Sequence, residues 1–369
     1  MSININKVTL FQTTMKLKSP FVTHLETVFD RESILVKTEA QNGITGWGEV
    51  VAFSSPWYTE ETIQTAWHML TDFFIPHVIN KSWNNPNDVN RSLKKWRGNN
   101  MAKAGLETAI WDLFAKKANK PLASYIGGDK TEIEAGVVVS SDNSSEMINM
   151  IGKRLEEGYK RVKVKIDPTT DFSVLKKIRS TYPHLLLMAD ANSAYTLSDV
   201  EQLKKLDEFN LLMIEQPLGV ADIVDHSELQ KTLRTPICLD ESITSLEDAK
   251  NAIKLKSCKV INIKIGRVGG LAEAIAIHDY CLENNVPVWC GGMLETGISR
   301  AFNIAISTLP NFTIPGDVSA SSRYWEKDVV TPEVEVYNGK IKVPTKNGIG
   351  YEVDESYINQ ISKRVRTIS

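Results

Sequence analysis

Apolar and polar residues alternate over much of the first 60 positions, a pattern typical of antiparallel β-strands with one buried face. The alternation runs over residues 3–11 and 33–40, and a further strand-like run covers 44–51. Asn42-Gly43 separates the last two runs. Because both residues tolerate positive φ, this pair predicts a hairpin turn. The N-terminus is therefore predicted to form an antiparallel sheet.

Residues 60–125 follow a helical pattern instead. Leu106, Ile110, Leu113 and Phe114 recur at the spacing of one helix face. Small residues make the same helix thin enough for close packing: Ala102, Ala104, Gly105 and Ala109. Gly127-Gly128 ends this region, so the first predicted domain covers residues 1–127.

Two segments of this region resist assignment. Residues 17–27 contain Ser19-Pro20-Phe21 and His24, and residues 53–58 contain Ser54-Ser55-Pro56-Trp57. One interpretation makes both of them surface loops. The functional alternative is an aromatic lid over a pocket, in which His24 contacts a substrate.

From Glu134 onward, short apolar runs alternate with amphipathic segments, two of which begin with capping-box sequences at Ser198 and Ser245. The predicted strands cover residues 135–140, 161–166, 185–189, 211–214, 237–239, 260–263, 286–290 and 313–315. Eight strands in this alternation predict an α/β fold with a TIM-like barrel over residues 128–325. A doubly wound sheet would need neither so many strands nor so regular a unit.

The segment after residue 325 loses this period. Residues 334–343 have strand character around an Asn338-Gly339 turn. We expect residues 326–369 to return to the N-terminal domain.

Composition narrows the class of protein. The 369 residues carry a net charge of −2 without a basic stripe, so no nucleic-acid partner is indicated. No apolar run approaches the length of a membrane span. The four cysteines lack CxxC spacing, which favours reduced thiols in a cytoplasmic protein. Cys238 and Cys290 fall in predicted strands and are interpreted as small core residues.

Polar residues stand at nearly constant intervals at the ends of the predicted strands. Twenty-five residues separate Lys165 from Asp190, Asp190 from Glu215 and Glu215 from Asp240, and 24 separate Asp240 from Lys264. A strand, a helix and two short loops fill roughly 25 residues. These side chains are therefore expected at equivalent ends of neighbouring parallel strands, where they converge on one opening.

Asp190, Glu215 and Asp240 would bring three hard oxygen ligands to that opening, which suits Mg²⁺ or Mn²⁺. No His or Cys occupies the 25-residue positions, so zinc is disfavoured. One acidic residue at a strand end is usually no more than a loop residue. Three in register with two lysines favour a metal site.

Lys165 and Lys264 would lie four strands apart in an eight-stranded barrel and face the pocket from opposite sides. We expect a lowered pKa for a lysine near a divalent cation and a second lysine, because like charge disfavours the protonated form. Such a lysine can act as a general base on the α-proton of a carboxylate substrate, while the metal stabilises the ene-diolate.

Five motifs carry a resemblance to a known family. They are Lys163-Val164-Lys165, Asp190-Ala191-Asn192, Glu215-Gln216-Pro217, Asp240-Glu241-Ser242 and Asn262-Ile263-Lys264. Together they resemble the enolase superfamily, in the branch of muconate-lactonising enzymes. The resemblance covers essentially the whole chain. It implies a (β/α)₇β barrel with an α+β capping domain whose loops close the pocket.

Further stretches resemble the group of o-succinylbenzoate synthases and N-acylamino acid racemases. They are Gly46-Trp47-Gly48-Glu49, residues 54–58, 101–105 and 289–297, and Pro315-Gly316-Asp317. One departure is Ile265, where the family usually has proline after the barrel lysine. That change removes no reacting group.

The resemblance implies a role for each strand-end residue. Lys165 removes the α-proton, and Lys264 acts on the other face as a cation or as a second base. Lys163 helps to hold the substrate carboxylate. The implied Mg²⁺ ligands are Asp190, Glu215 and Asp240, and the implied pocket residues are Asn192, Gly292 and Met293. The partner is a small carboxylate, and we expect a homo-oligomer.

Two activities stay open. The first is Mg²⁺-dependent syn-dehydration of 2-succinyl-6-hydroxy-2,4-cyclohexadiene-1-carboxylate in menaquinone biosynthesis, for which one lysine suffices. The second is racemisation of N-succinylamino acids, which needs both lysines as bases. Dipeptide epimerisation is disfavoured because Val318-Ser319 follows Asp317 in place of Asp-x-Asp. A metal-stabilised binding protein would not need two lysines. Arg267 either tunes Lys264 electrostatically, as the resemblance suggests for racemising members, or lies on a loop surface.

Overall fold

A computed structural model of the chain describes residues 2–22, 26–141 and 143–369. Its N-terminal part is an antiparallel sheet with helices packed on it. The strands are β1 (Ile3–Val22), β2 (Thr27–Ala40), β3 (Thr45–Val50) and β4 (Lys81–Trp83). The helices are α1 (Ile63–Met69), α2 (Ile75–Val78), α3 (Pro86–Leu93), α4 (Asn100–Lys117) and α5 (Leu122–Tyr125), with a π-helical turn at Leu70–Phe74.

The hairpin of β1 and β2 extends further than the sequence pattern indicated. Its antiparallel ladder is interrupted after Lys16 and resumes at Phe21, which lies opposite Val28. The surface-loop interpretation is therefore wrong for most of residues 17–27, while His24 lies outside the described residues. The turn predicted at Asn42-Gly43 is confirmed: Ala40 N donates to Ile44 O over 2.9 Å, and Gly43 has a φ of +79°.

Helix α4 is buried on most of its circumference because it lies between the N-terminal sheet and the rest of the chain. The close packing predicted from its small residues is confirmed. A Cβ on Gly48 of β3 would lie 2.2 Å from the carbonyl oxygen of Gly105. Glycine at position 48 lets the strand touch the helix backbone.

After a short strand β5 (Glu132–Glu134), seven parallel strands pair in sequence order to form a curled sheet. They are β6 (Val137–Val139), β7 (Arg161–Lys165), β8 (Leu186–Asp190), β9 (Ile214–Glu215), β10 (Ile237–Leu239), β11 (Val260–Ile263) and β12 (Val288–Cys290). The helices are α6 (Ser144–Glu156), α7 (Ser173–Thr181), α8 (Val200–Lys204), α9 (Val224–Thr232), α10 (Leu246–Leu255), α11 (Ile265–Val268), α12 (Leu271–Glu283) and α13 (Gly297–Ile306).

The capping predictions have different outcomes. Ser245 caps α10 as predicted, since its side chain accepts from Asp248 N. Ser198 does not start its helix. Thr196 and Asp199 form the capping box there instead, at a short 3₁₀ turn before α8.

The eighth predicted strand, residues 313–315, does not form a strand. Single parallel bridges flank it: Phe312 pairs with Val288, and Gly316 pairs with Ala135. Pro315 has no N–H to donate, which prevents a continuous ladder. Through these two bridges, the segment still lies between β12 and the residues just before β6. The predicted fold class, an α/β (β/α)₇β barrel with an α+β capping domain, is confirmed.

Side chains alternate along the barrel strands, so the interior is built in layers. Met188, Cys238 and Trp289 pack together in an apolar cluster. Two residues further along their strands lie Asp190 and Asp240, at the carboxyl ends. The apolar layer is therefore the floor of a polar opening.

The C-terminal segment contains β13 (Val330–Thr331), β14 (Lys340–Lys342), β15 (Glu352–Val353), α14 (Glu355–Ile361) and β16 (Ser362–Ile368). The strand predicted over 334–343 is reduced to β14, which pairs with β5. β16 pairs antiparallel with β1 of the N-terminal sheet. The limits 1–127, 128–325 and 326–369 stay predictions.

All four cysteines are free and buried. Cys238 lies in β10 and Cys290 in β12, as predicted. Within the described ranges, no helix combines the length and the apolar character needed to cross a membrane.

Candidate active site

The carboxyl ends of the barrel strands open into a cavity of about 1040 Å³, counted with its mouth. Seven of the predicted site residues line it: Lys163, Lys165, Asp190, Asn192, Lys264, Gly292 and Met293. Glu215 and Asp240 do not line the cavity. They are buried directly behind it, where each contacts a lysine that does.

Three buried carboxylates follow one another at the ends of β8, β9 and β10. Asp190 accepts from Lys165 over 2.7 Å, Glu215 from Lys163 over 3.0 Å, and Asp240 from Lys264 over 2.8 Å. In the described part of the chain, no three His, Cys, Asp or Glu side chains are grouped as a ready-made metal site. The lysines hold these carboxylates instead.

The three carboxylates nevertheless act on one another. Burial and the charge of Asp190 raise the pKa of Glu215 to about 8, and Asp240 adds to that effect. For Asp190 itself, burial acts to raise the pKa, but the charges of Lys165 and Lys163 hold it well below its ordinary value. Negative groups that repel one another at a barrel opening fit a divalent cation, since oxygen ligands are what Mg²⁺ prefers.

Two buried oxygens beside these carboxylates lack a hydrogen-bond partner: Glu241 Oε2 and Asn262 Oδ1. Glu241 lines the cavity, and its other oxygen accepts from Asn192 Nδ2 over 3.1 Å. Burial and the charge of Asp240 raise the pKa of Glu241 to about 7. Both residues belong to sequence motifs, Asp240-Glu241-Ser242 and Asn262-Ile263-Lys264, so the motifs were the signal that could have identified them.

Lys165 and Lys264 approach the cavity from different strands. Lys165 ends β7 and Lys264 follows β11, four strands away in the sheet order. Lys165 donates to Asp190 Oδ2 and to Asn192 Oδ1. In a barrel of eight positions, side chains four strands apart face each other across the opening.

The lowered lysine pKa expected beside a divalent cation stays a prediction, and the carboxylates around Lys264 act in the opposite direction. Burial acts to lower its pKa, but the charge of Asp240 outweighs burial, and the pKa lies well above its ordinary value. At Lys163, too, burial acts to lower the pKa, but nearby carboxylates raise it well above its ordinary value. These carboxylates are Asp317 at 2.6 Å, Glu215 at 3.0 Å and Asp190 at 3.2 Å.

Arg267 is buried against the site, so the loop-surface interpretation of this residue is wrong. Only 3% of it is exposed. Its Nη1 contacts Asp240 Oδ1 and donates to Tyr58 Oη over 3.3 Å. Arg267 therefore adds positive charge beside Lys264, as the electrostatic interpretation requires.

The N-terminal domain supplies aromatic side chains to the cavity: Phe21, Phe53, Trp57 and Tyr58. The Phe53 and Trp57 rings lie 4.5 Å apart, centroid to centroid. Tyr58 Oη accepts a hydrogen bond of 2.8 Å from Lys264 Nζ. Residues 53–58 thus cover the barrel opening, which supports the lid interpretation over a plain surface loop.

Asp317 lies on the last segment of the barrel and contacts Lys163 and Arg161, each over 2.6 Å. Burial acts to raise its pKa, but the charges of Arg161 and Lys163 hold it far below its ordinary value. Sequence reasoning assigned it no role, although Pro315-Gly316-Asp317 was one of the resembling stretches. The backbone of Asp317 also explains why residue 292 is a glycine. A Cβ at position 292 would lie 2.1 Å from the Asp317 carbonyl oxygen.

Comparison with known proteins agrees with this geometry. Residues 5–127 match the model of the mandelate racemase / muconate lactonizing enzyme N-terminal domain. Residues 146–357 match that of the enolase C-terminal domain-like family. The chain is therefore an enzyme that belongs to the enolase superfamily.

Individual members of the superfamily are similar to this chain over nearly its whole length. The chain is 54% identical to the o-succinylbenzoate synthase of Bacillus subtilis (strain 168), over 97% of this chain and 96% of that protein. It is 42% identical to the N-succinylamino acid racemase of Thermus thermophilus, over 96% and 97%. A solved member of the enolase superfamily from Listeria innocua is 40% identical and superposes with a TM-score of 0.97, covering 99% of each chain.

Proposed function

We propose that this protein is an o-succinylbenzoate synthase of menaquinone biosynthesis. Its reaction is the syn-dehydration of 2-succinyl-6-hydroxy-2,4-cyclohexadiene-1-carboxylate. The observation that carries the proposal is the placement of Lys165 and Lys264 on strands four apart, around one cavity. Identity of 54% to a protein of that name, over nearly the whole length, supports the choice of substrate.

In the reaction, the Lys165 amine takes the proton from the carbon next to the substrate carboxylate. The electron pair left behind becomes an ene-diolate. When the C–O bond to the ring hydroxyl breaks, Lys165 returns the proton to the departing oxygen, and water leaves. One lysine suffices because the proton and the hydroxyl lie on the same face of the ring. The new double bond makes the ring aromatic.

The other residues hold the substrate and its charge. Lys163 lines the cavity and would help to bind the carboxylate, while the cationic Lys264 faces the ene-diolate from the other side. Asn192, Gly292 and Met293 would line the substrate site. Asp190, Glu215 and Asp240 would hold Mg²⁺, or Mn²⁺, and that ion supplies stabilisation of negative charge on the carboxylate oxygens. A homo-oligomeric state and a cytoplasmic location stay predictions.

A second activity, racemisation of N-succinylamino acids, is favoured by the position of Lys264. It is buried in the same cavity as Lys165, with Arg267 beside it. Removal of the α-proton by one lysine and return of a proton by the other would invert the centre. The racemase from Thermus thermophilus supports this candidate.

The test uses the full-length protein with Mg²⁺. Conversion of the cyclohexadiene substrate is followed by the absorbance of the aromatic product. Exchange of the α-proton of N-succinylphenylalanine is followed in deuterated solvent. We expect faster conversion of the former and measurable exchange of the latter, both lost in Lys165→Ala. Absence of both reactions in the wild type would reject both functions.

A further inference from the structure

Within the part of the chain that the structure describes, one cation of the cavity has no carboxylate partner. Lys163, Lys165 and Lys264 each contact a carboxylate within 2.8 Å. Arg323 also lines the cavity, yet among the described residues it forms no ion pair with an acidic side chain. Its positive charge is available to a ligand.

Arg323 is held so that it faces the cavity. It ends a 3₁₀ turn, Ser321–Arg323, which follows the last barrel segment. Its Nη2 donates to the carbonyl oxygen of Val138 over 3.1 Å, and its guanidinium lies 5.8 Å from the Tyr324 ring. With respect to the described residues, one hydrogen bond and one aromatic contact leave most of its five N–H groups free.

Val138 fixes where this guanidinium sits relative to the reacting groups. Val138 of β6 pairs in register with Lys163 of β7. Neighbouring strands are about 4.8 Å apart, so Arg323 binds the strand next to the one that carries Lys163 and Lys165. Arg323 and Lys163 therefore line the same cavity at neighbouring strands, so one ligand can contact both.

We propose that Arg323 binds the second carboxylate of a dicarboxylate substrate, the one at the end of a succinyl chain. The proposal rests on the proposed function and deepens it, since both candidate activities use a succinyl-bearing substrate. A guanidinium fork matches a carboxylate in two parallel hydrogen bonds, which an uncharged acyl chain cannot form. Arg323 would thereby set the preference for succinyl over simple acyl groups.

The test measures binding by titration calorimetry with Mg²⁺ present. Its two probes are o-succinylbenzoate and 2-butanoylbenzoate, which has a methyl group in place of the terminal carboxylate. The wild type is expected to prefer o-succinylbenzoate. In Arg323→Gln that preference falls about tenfold or more, as expected for the loss of hydrogen bonds between charged groups. Arg323→Lys keeps part of this preference. Arg154→Gln, a change at a half-buried arginine on α6 that does not line the cavity, keeps all of it.

Each outcome decides the matter. The preference is a ratio of two affinities in one preparation, so partial unfolding of a variant does not change it. An equal preference in wild type and Arg323→Gln, or no binding of o-succinylbenzoate to the wild type, overturns the proposal. If the wild type converts the cyclohexadiene substrate but Arg323→Gln leaves the preference for o-succinylbenzoate unchanged, only the role of Arg323 is rejected. If the wild type does not convert that substrate but its preference for o-succinylbenzoate is lost in Arg323→Gln, only the proposed function is rejected.

Discussion

Lys264 Nζ donates a hydrogen bond of 2.8 Å to Tyr58 Oη, and this contact joins the end of a barrel strand to the loop that covers the opening. The ring of Tyr58 also lies 4.7 Å from the same ammonium group. Tyr58 therefore helps to fix the position of Lys264 together with Asp240, which accepts from the same ammonium group over 2.8 Å.

Tyr58→Phe tests this contact. The variant keeps the ring but loses hydrogen bonds from Lys264 and Arg267, so Lys264 is held less firmly. We expect racemisation to fall about three- to tenfold, the effect of one net hydrogen bond, while dehydration changes less. Steady-state rates of both reactions measure this. Tyr337→Phe, a change at a residue 78% exposed, is the control; equal rates in both variants would contradict the role.

Lys264→Ala separates the two roles of that lysine. If it is the second base, racemisation should fall by at least about 10²-fold, the usual contribution of a proton-transfer group. Dehydration should survive in part, because Lys165 performs both of its proton transfers. Both rates are measured with folding checked by circular dichroism. Equal abolition of the two reactions would leave the cationic role of Lys264 without support.

Mg²⁺ should stabilise the folded protein through the three carboxylates. A ligand present at 100 times its dissociation constant contributes about 2.7 kcal/mol to the free energy of unfolding. We expect Mg²⁺ to raise the thermal midpoint of the wild type and EDTA to reverse the rise, with activity following. Glu215→Gln should show a smaller rise, and the exposed Glu228→Gln should match the wild type. The same rise in Glu215→Gln would argue against Glu215 as a ligand.

Glu107 makes the stability of the protein depend on pH. This buried residue of α4 accepts from the backbone N–H groups of Leu271 and Ala272 at the start of α12. Burial raises its pKa from 4.5 to about 7, although these hydrogen bonds oppose the rise. The folded state therefore holds this proton more tightly than the unfolded state does. Its contribution to stability is full below pH 4.5 and is lost as pH rises to about 7.

Comparison with Glu107→Gln isolates this effect from the other buried acids. Between pH 4.5 and 8, the free energy of unfolding of the wild type should fall relative to that of the variant by up to about 3 kcal/mol. Urea unfolding at intervals of one pH unit measures the difference. A difference that stays constant with pH would show that Glu107 has an ordinary pKa.

Gly292→Ala should damage the site through the backbone. The added Cβ would lie 2.1 Å from the Asp317 carbonyl oxygen, so the last barrel segment must move. We expect a loss of about 1–3 kcal/mol in stability and a lower rate of dehydration. Gly219→Ala is a matched control, because its Cβ would meet only Asp222 Cβ at 4.0 Å. Equal unfolding midpoints for the two variants would refute the steric argument.

The sequence by itself determined the parts of this protein that depend on local pattern. The 25-residue interval is the length of one strand–helix unit, and each unit repeats the same geometry, so residues at that interval had to reach equivalent strand ends. Asn42-Gly43 predicted its turn for the same reason, since its conformation depends on the backbone preferences of those residues. Neither conclusion required knowledge of distant contacts.

Only the tertiary structure decided the features that depend on packing between distant segments. Tyr58 and Lys264 are more than 200 positions apart, and nothing local to either predicts that they touch. The sequence left two positions possible for Arg267, on a loop surface or at the site, and its burial in the folded protein decides for the site. The raised pKa of Lys264 arises because the field of the buried Asp240 outweighs the burial of the lysine. That balance depends on distances and burial, which a linear pattern does not contain.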